Sequence, residues 1–257
     1  MRNLNPFRII LNFFFPEQCV FCDRLLEPDS KENVCPECAV KIAKSDSRLC
    51  CIKCGKPVVS YGKRKLCHFC YDHPTKYFDR IVSSFEYDQL VKNSVLRFKK
   101  RGIPAYAKTY ANFICETAKE HYGDISFDFI CCAPSHTDKK REQGYDNVEL
   151  IAKHLSRLTN IPFMANAIRK IRKTPRQTGL SFHEREENLK NSMAADSKVV
   201  LDKTFLLVDD VCTTRATIIE CSRALKKAGA KHVYAVTFAT TVRKPQKGFK
   251  PEDIKEY

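Results

Sequence analysis

The chain has 257 residues, 43% of them hydrophobic, which suffices for one large domain or two smaller ones with a packed core. No run approaches the roughly 20 apolar residues of a membrane span, and no segment has the features of an export signal, so we expect a cytoplasmic protein. The net charge of +15 fits a polyanionic partner, either a phosphate-rich substrate or nucleic acid, or else a solvated lysine-rich surface.

Eight cysteines among the first seventy residues form four Cys-x2-Cys pairs with a period of sixteen residues. Such a pair lets two sulfurs face one metal, and two pairs complete a tetrahedral four-sulfur zinc site. We therefore predict a zinc-ribbon module over residues 1–75 with one or two structural Zn²⁺ ions, since a disulfide scaffold belongs to secreted chains. The sequence leaves open whether successive or alternate pairs share a metal. The candidate ligands are Cys19, Cys22, Cys35, Cys38, Cys51, Cys54, Cys67 and Cys70.

From residue 76 onward, apolar runs alternate with amphipathic stretches. The patterns predict strands over residues 81–87 and 127–133, and helices over 90–101, 104–121 and 149–158. Such alternation implies right-handed crossovers and a mostly parallel sheet. We therefore predict an α/β domain over residues 76–245, followed by a basic tail over residues 246–257.

A third apolar run, residues 205–208, leads into Asp209 and Asp210, a short loop of hydroxyl residues, and a predicted helix over 218–229. A loop in this position brings backbone N–H groups and a helix N-terminus together, where they can hold a phosphate. The two carboxylates at the carboxyl end of the strand would accept hydrogen bonds from sugar hydroxyls or help hold Mg²⁺. The alternative is an ordinary strand-to-helix turn with a threonine cap.

Two basic segments, residues 139–147 and 169–190, carry proline or glycine between elements of the predicted sheet. Segments of this kind suit a mobile lid that closes over an anionic substrate and excludes water. The alternative for each is a solvated basic loop that touches nothing.

The pattern of an apolar strand, Asp-Asp, a two-residue gap and Thr-Thr-x-Ala-Thr resembles the phosphoribosyl pyrophosphate motif of type I phosphoribosyltransferases. Together with the cysteine ladder and the stretches at 133–136 and 174–180, it makes the chain from about residue 15 to about residue 241 similar to the ComF competence family. Members of that family pair a zinc ribbon with a phosphoribosyltransferase-like domain, so the resemblance implies a sheet of the type I phosphoribosyltransferase kind.

Three departures from the family pattern stand out. Gln143 replaces a usual arginine, and Asp146-Asn147 replaces a usual Asn-Gln, which would alter the polar contacts of the lid. Arg215 occupies a position where the motif has glycine, which permits positive φ and close approach of the backbone to phosphate. We expect the arginine either to add a cation to the phosphate or to fill the site.

The resemblance implies binding of phosphoribosyl pyrophosphate with Mg²⁺, or of a related phosphorylated ligand, by a possible transferase whose acceptor the motifs do not identify. It also implies handling of single-stranded DNA during natural transformation, near an uptake helicase and recombination proteins. The alternative is a non-catalytic module that binds single-stranded DNA or protein through the ribbon and the basic surface. The candidate catalytic residues are Asp209 and Asp210. The candidate substrate-binding residues are Lys99, Ala133, Pro134, Ser135, Arg185, Thr213, Thr214, Arg215, Ala216 and Thr217.

Overall fold

The computed structural model describes residues 17–26, 33–42, 50–58, 66–72, 74–101, 105–134, 144–175 and 181–241. The strands in these ranges are β1 (Arg80–Glu86), β2 (Phe129–Cys132), β3 (Arg169–Lys170), β4 (Met193–Ala194), β5 (Thr204–Cys212) and β6 (His232–Thr240). Four of them form a sheet in the order β1-β6-β5-β2, with every neighbouring pair parallel. The short strands β3 and β4 form a separate antiparallel pair.

The helices within the described ranges are α1 (Pro36–Lys41), α2 (His68–Asp72), α3 (Gln89–Arg101), α4 (Ala105–Tyr122), α5 (Asn147–Thr159), α6 (Phe182–Leu189), α7 (Ser197–Val200) and α8 (Ala216–Lys227). Helices α3, α4 and α5 share a core with one face of the sheet, to which β5 contributes Leu206 and Val208. Helix α8 shares a core with the opposite face, to which β5 contributes Phe205 and Leu207. Strand β5 is therefore covered on both sides, which explains its unbroken apolar run.

Strand β5 continues to Cys212, four residues beyond the apolar run that marks it in the sequence. The extension exists because β6 lies alongside, pairing Asp209 with Thr237 and Cys212 with Thr240. Strand β6, which our reading of the sequence did not include, separates β1 from β5 and is buried over most of its length. The sheet prediction is confirmed, and this central strand is the main addition to it.

The two ribbon lobes, described over residues 17–26 and 33–42 and over residues 50–58 and 66–72, pack on different faces of the sheet. In the first lobe, the Phe21 ring meets the Phe85 ring edge-on at 5.9 Å and stacks on the Phe238 ring at 6.2 Å. Arg97 of α3 donates to the carbonyl of Val20 at 3.1 Å and forms an ion pair with Asp23 at 2.9 Å. Cysteines of this lobe thus belong to the core of the α3–α5 face.

The second lobe covers the open edge of β1. The N–H of Ile81 donates to the carbonyl of Lys53 at 2.9 Å, so the ribbon continues the hydrogen bonding of the edge strand. Gly55 has φ of +65°, and a Cβ there would lie 2.6 Å from the Ile81 carbonyl oxygen, which requires glycine at this point. Cysteines of this lobe belong to the core of the α8 face.

Asp146 and Asn147 have structural roles at the start of α5, in place of the lid contacts expected for them. The Asp146 carboxylate caps α5 by accepting from the N–H groups of Val148 at 2.8 Å and Glu149 at 3.2 Å. The Asn147 side chain donates to the Phe98 carbonyl at 3.1 Å and ties α5 to α3. Both side chains are buried.

The boundary near residue 75 stays a prediction, and Gln143 and the tail over 246–257 lie outside the described residues. Among the residues that the structure describes, no helix combines the length and the apolar character needed to cross a bilayer.

We expect Phe21→Ala to lower the free energy of unfolding by roughly 3–5 kcal/mol, because truncating a fully buried ring leaves a cavity between ribbon and sheet. Chemical denaturation of the zinc-loaded protein measures this loss. Val40→Ala is the matched control on the same lobe, since Val40 is 88% exposed and its truncation should change stability by less than about 0.5 kcal/mol. Equal effects of the two substitutions would contradict the packing of the first lobe on the sheet.

Candidate functional site

An acidic pair lies on β5 close to its carboxyl end. Asp209 and Asp210 are 9% and 8% exposed, and an oxygen of Asp209 accepts the Asp210 N–H at 2.8 Å. The ammonium of Lys99, on α3, lies 2.7 Å from Asp210 Oδ2. Two carboxylates so far removed from water need compensating partners, and Lys99 supplies a cation for one of them.

The environment shifts the titration of this group of charges. Burial, reinforced by the negative charge of Asp210, raises the pKa of Asp209 from 3.8 to about 7. Burial alone would lower the pKa of Lys99, but the attraction of Asp210 outweighs it and the pKa stands above 10.5. The site therefore combines a permanent cation, Lys99, with a carboxyl group, Asp209, whose pKa lies near neutral pH.

The loop over residues 213–215 joins β5 to α8. The Thr213 hydroxyl accepts from Nη1 of Arg185 at 2.9 Å, which draws α6 toward the loop. Helix α6 is itself fixed by a reciprocal cap between Ser181 and Glu184. The Thr214 hydroxyl accepts from the N–H of Ala216 at 3.3 Å. Ala216 begins α8, so Thr217 lies in the first turn and the positive end of this helix faces the loop.

Residues after β2 reach the same edge of the sheet. Because β2 pairs with β5 in parallel, with Cys132 opposite Val208, Ala133 and Pro134 lie beside the start of the acidic pair. The N–H of Ala133 donates to the Val208 carbonyl at 3.3 Å. Ser135 lies outside the described residues.

The basic segment over residues 169–190 is described only in part, since residues 176–180 fall outside. Arg172 donates to the carbonyl of Asn188 at 2.9 Å and to that of Lys190 at 2.8 Å. This arginine therefore holds the carboxyl end of α6. Among the described residues of this segment, Arg185 is a cation that contacts the loop.

The eight cysteines form two clusters, each built from successive pairs, which decides the alternative that the sequence left open. In each cluster the four sulfurs lie within 4.8 Å of one another, and a sulfur–sulfur distance of 3.6 Å joins Cys22 to Cys35 and Cys54 to Cys67. Sulfurs stand about 3.8 Å apart in a tetrahedral zinc site with Zn–S bonds of about 2.3 Å. Both clusters thus fit Zn²⁺, with Cys19, Cys22, Cys35 and Cys38 in the first and Cys51, Cys54, Cys67 and Cys70 in the second.

The side chain of Arg215 follows neither course expected from the sequence. It is 4% exposed, its guanidinium lies 3.8 Å from the centre of the Phe69 ring, and Nη1 is 3.3 Å from Cys54 Sγ. The arginine therefore turns into the second cysteine cluster, where it can serve neither as a phosphate cation nor as a plug. The backbone of the loop keeps the positive φ, +70°, for which glycine is usual at this position.

Lys56 is a site residue that our sequence reasoning missed. Its ammonium donates to the carbonyl of Thr213 and, at 3.2 Å, to that of Thr241. The side chain is buried, although it belongs to the second lobe of the ribbon and directly follows Gly55. No sequence signal marks this lysine, because its partner is a backbone carbonyl more than 150 residues away.

Comparison with known proteins agrees with this architecture. A family described as the double zinc ribbon domain matches residues 10–71, and one described as the phosphoribosyl transferase domain matches residues 148–256. The solved structure of a glutamine phosphoribosylpyrophosphate amidotransferase from B. subtilis aligns with 52% of this chain and with 26% of its own chain, at 20% identity and a TM-score of 0.37.

Several relatives match along most of the chain, among them the following three. Competence protein F of Haemophilus influenzae is 28% identical over 86% of this chain and 95% of its own. Competence protein ComFC of Streptococcus pneumoniae is 26% identical over 84% of each chain. DNA utilization protein YhgH of Escherichia coli K12 is 26% identical over 84% of this chain and 86% of its own. The chain therefore joins a double zinc ribbon to a phosphoribosyltransferase-fold domain and is a homologue of the ComF-type competence proteins.

Proposed function

We propose that the edge formed by β2, β5 and α8 binds phosphoribosyl pyrophosphate, or a closely related sugar phosphate. The observation that carries the proposal is the position of the buried pair Asp209–Asp210, two residues before a loop of hydroxyls that leads into a helix N-terminus. Anion-binding main-chain groups beside two carboxylates suit a ligand that carries both phosphate and hydroxyl groups.

Each part of such a ligand has a counterpart in this group of residues. The N–H groups from Thr214 to Thr217 and the hydroxyls of the loop would hold the 5′-phosphate. Asp209 and Asp210 would accept hydrogen bonds from the ribose hydroxyls. Lys99 and Arg185 would supply positive charge at the two sides of the site, 2.7 Å from Asp210 and 2.9 Å from Thr213 respectively.

The pyrophosphate end would lie against the chain that leaves β2, with Ala133 and Pro134 shaping its backbone. Mg²⁺ favours the oxygen ligands that pyrophosphate and carboxylates offer here, and when bound it would neutralise the charge of the leaving pyrophosphate. Transfer would break the bond between the anomeric carbon and pyrophosphate and form one to an acceptor. The contribution of Asp209, Asp210 and Lys99 would be to orient the sugar for that displacement.

The names of the relatives supply a biological setting for this proposal. Two are called competence proteins and a third a DNA utilization protein, and they align along most of this chain. We therefore propose that this protein serves the uptake or handling of DNA, with single-stranded DNA, a helicase or recombination proteins as candidate partners.

Binding of single-stranded DNA by the ribbon is a second candidate function. Tyr71 directly follows Cys70 of the second cluster, Tyr77 lies further along the chain, and their exposed fractions are 48% and 41%. The whole chain carries a net charge of +15. Exposed aromatic rings on a chain of positive net charge suit the stacking of unpaired bases.

Titration calorimetry with phosphoribosyl pyrophosphate and Mg²⁺ tests the main proposal. We expect saturable binding that Asp209→Asn with Asp210→Asn weakens at least tenfold, because neutral amides accept hydrogen bonds less strongly than carboxylates. Glu220→Gln is the matched control, since Glu220 is equally buried but bonds to the N–H of Met193 on β4. Unchanged affinity in the double variant would contradict the proposal. Release of pyrophosphate on addition of an acceptor would establish transfer.

Asp209→Asn should also change how stability depends on pH. Because the pKa of Asp209 is about 7 in the folded protein and near 3.8 when unfolded, the folded state binds the proton more tightly, and stability falls as pH rises through this window. The variant escapes that loss, so its stability relative to wild type should rise by roughly 2 kcal/mol between pH 5 and pH 8. Urea denaturation at the two pH values measures the difference. A constant gap would show that the carboxyl group titrates normally.

For the DNA candidate, we expect Tyr77→Ala and Tyr71→Ala each to weaken binding of a labelled single strand about tenfold, which corresponds to loss of one stacked base. Fluorescence anisotropy over a salt series measures the affinity, and zinc content verifies that the ribbon is intact. Binding that is insensitive to both substitutions would exclude the surface around these two tyrosines.

A further inference from the structure

Arg215 stands at a point where the backbone conformation favours glycine. Its φ is +70°, in the left-handed region that residues with a Cβ adopt only at some strain. Glycine would give the loop the same path without that strain. The loop conformation therefore does not require an arginine, and the role of this residue lies in the contacts of its side chain.

Those contacts all lie in the second lobe of the ribbon or in the loop itself. Nη1 of Arg215 is 3.3 Å from the sulfur of Cys54, 3.8 Å from that of Cys70 and 3.9 Å from that of Cys67. The guanidinium carbon lies over the Phe69 ring, 3.8 Å from its centre, and Nε donates to the Thr214 carbonyl at 3.2 Å. A buried cation needs such partners, and here they are the sulfurs of one metal cluster.

The charges of the two groups explain the contact between Arg215 and the second cysteine cluster. Four thiolates around Zn²⁺ leave two negative charges uncompensated, and donors to the sulfurs are the usual outer partners of such sites. Arg215 would supply one positive charge from the loop side. In the opposite direction, Lys56 of the ribbon donates to the Thr213 carbonyl, on the other side of Thr214. The loop and the second cluster are thus tied together by two buried cations, one from each.

We infer that Arg215 is an outer partner of the second zinc site, that it strengthens metal binding there, and that the loaded site in turn holds the loop over residues 213–215 in place. Arg215 is accordingly a positioning residue. The part of this inference that concerns ligand affinity rests on the proposed function, whereas the part that concerns metal binding does not.

Site-resolved alkylation tests the metal part. The full-length, zinc-loaded protein is treated with a thiol alkylating reagent and EDTA, and modification of each cysteine is followed by peptide mass spectrometry. Arg215→Asn is the main variant, because asparagine tolerates positive φ and retains a Cβ. Arg215→Lys retains a positive charge but lacks the planar fork and the stacking surface.

We expect Arg215→Asn to accelerate alkylation of Cys51, Cys54, Cys67 and Cys70 by about 10- to 100-fold, the usual effect of losing an outer partner of a metal site. Arg215→Lys should fall between this variant and wild type. Cysteines of the first cluster, on the other lobe, are the internal control and should change less than twofold. Wild-type rates in the second cluster of Arg215→Asn, or equal acceleration in both clusters, would overturn the inference.

Amide hydrogen exchange over residues 212–217 tests the positioning part. We expect faster exchange in zinc-loaded Arg215→Asn than in zinc-loaded wild type. We also expect faster exchange in wild type after chelation of zinc than before it. Unchanged exchange would overturn the positioning part of the inference.

Calorimetry with phosphoribosyl pyrophosphate separates the two proposals. If Arg215→Asn changes the alkylation and exchange rates, but the wild-type protein does not bind phosphoribosyl pyrophosphate, the proposed function alone would be refuted. If the wild-type protein binds phosphoribosyl pyrophosphate, but Arg215→Asn shows the same alkylation and exchange rates as wild type, this inference alone would be refuted.

Discussion

Burial of two adjacent carboxylates on β5 is the constraint on which the arrangement of the molecule depends. Asp209 and Asp210 lie within a strand covered on both faces, where charge is expensive unless it is compensated. The compensation comes from α3, which brings Lys99 to 2.7 Å from Asp210. The same helix carries Arg97, which anchors the first ribbon lobe, so one helix connects the acidic pair to the metal-binding module.

The double zinc ribbon is integrated with the sheet through contacts on both of its faces. Phe21 of the first lobe enters an aromatic cluster with Phe85 and Phe238, and Gly55 of the second lobe packs against the backbone of β1. A module of this size has too small a core to be stable alone and depends on metal and on neighbours. Here the neighbour gains as well, because the ribbon covers an edge strand and holds the loop through Lys56.

Much of this could be predicted because local patterns dictate it. The spacing of the cysteines identified the eight candidate ligands, although not which pairs share a cluster, and the apolar run before Asp209 identified a strand buried on two sides. The pairing of Lys99 with Asp210 and of Arg185 with Thr213 was beyond such patterns, since each joins elements far apart in the chain. The contacts of Arg215 are the clearest example of what the sequence could not predict. An arginine in this loop suggested a contact with phosphate, whereas its guanidinium contacts buried sulfurs of the second lobe, which only the folded chain brings close to it. Strand β6 was missed although its apolar residues from Val233 to Phe238 carry a strand signal.

A crystal structure with phosphoribosyl pyrophosphate and Mg²⁺ tests the central claim most directly. The account predicts 5′-phosphate oxygens within hydrogen-bond distance of the N–H groups of residues 214–217, and ribose hydroxyls on Asp209 and Asp210. Density for the ligand at another surface, or an unoccupied loop at saturating ligand, would contradict it.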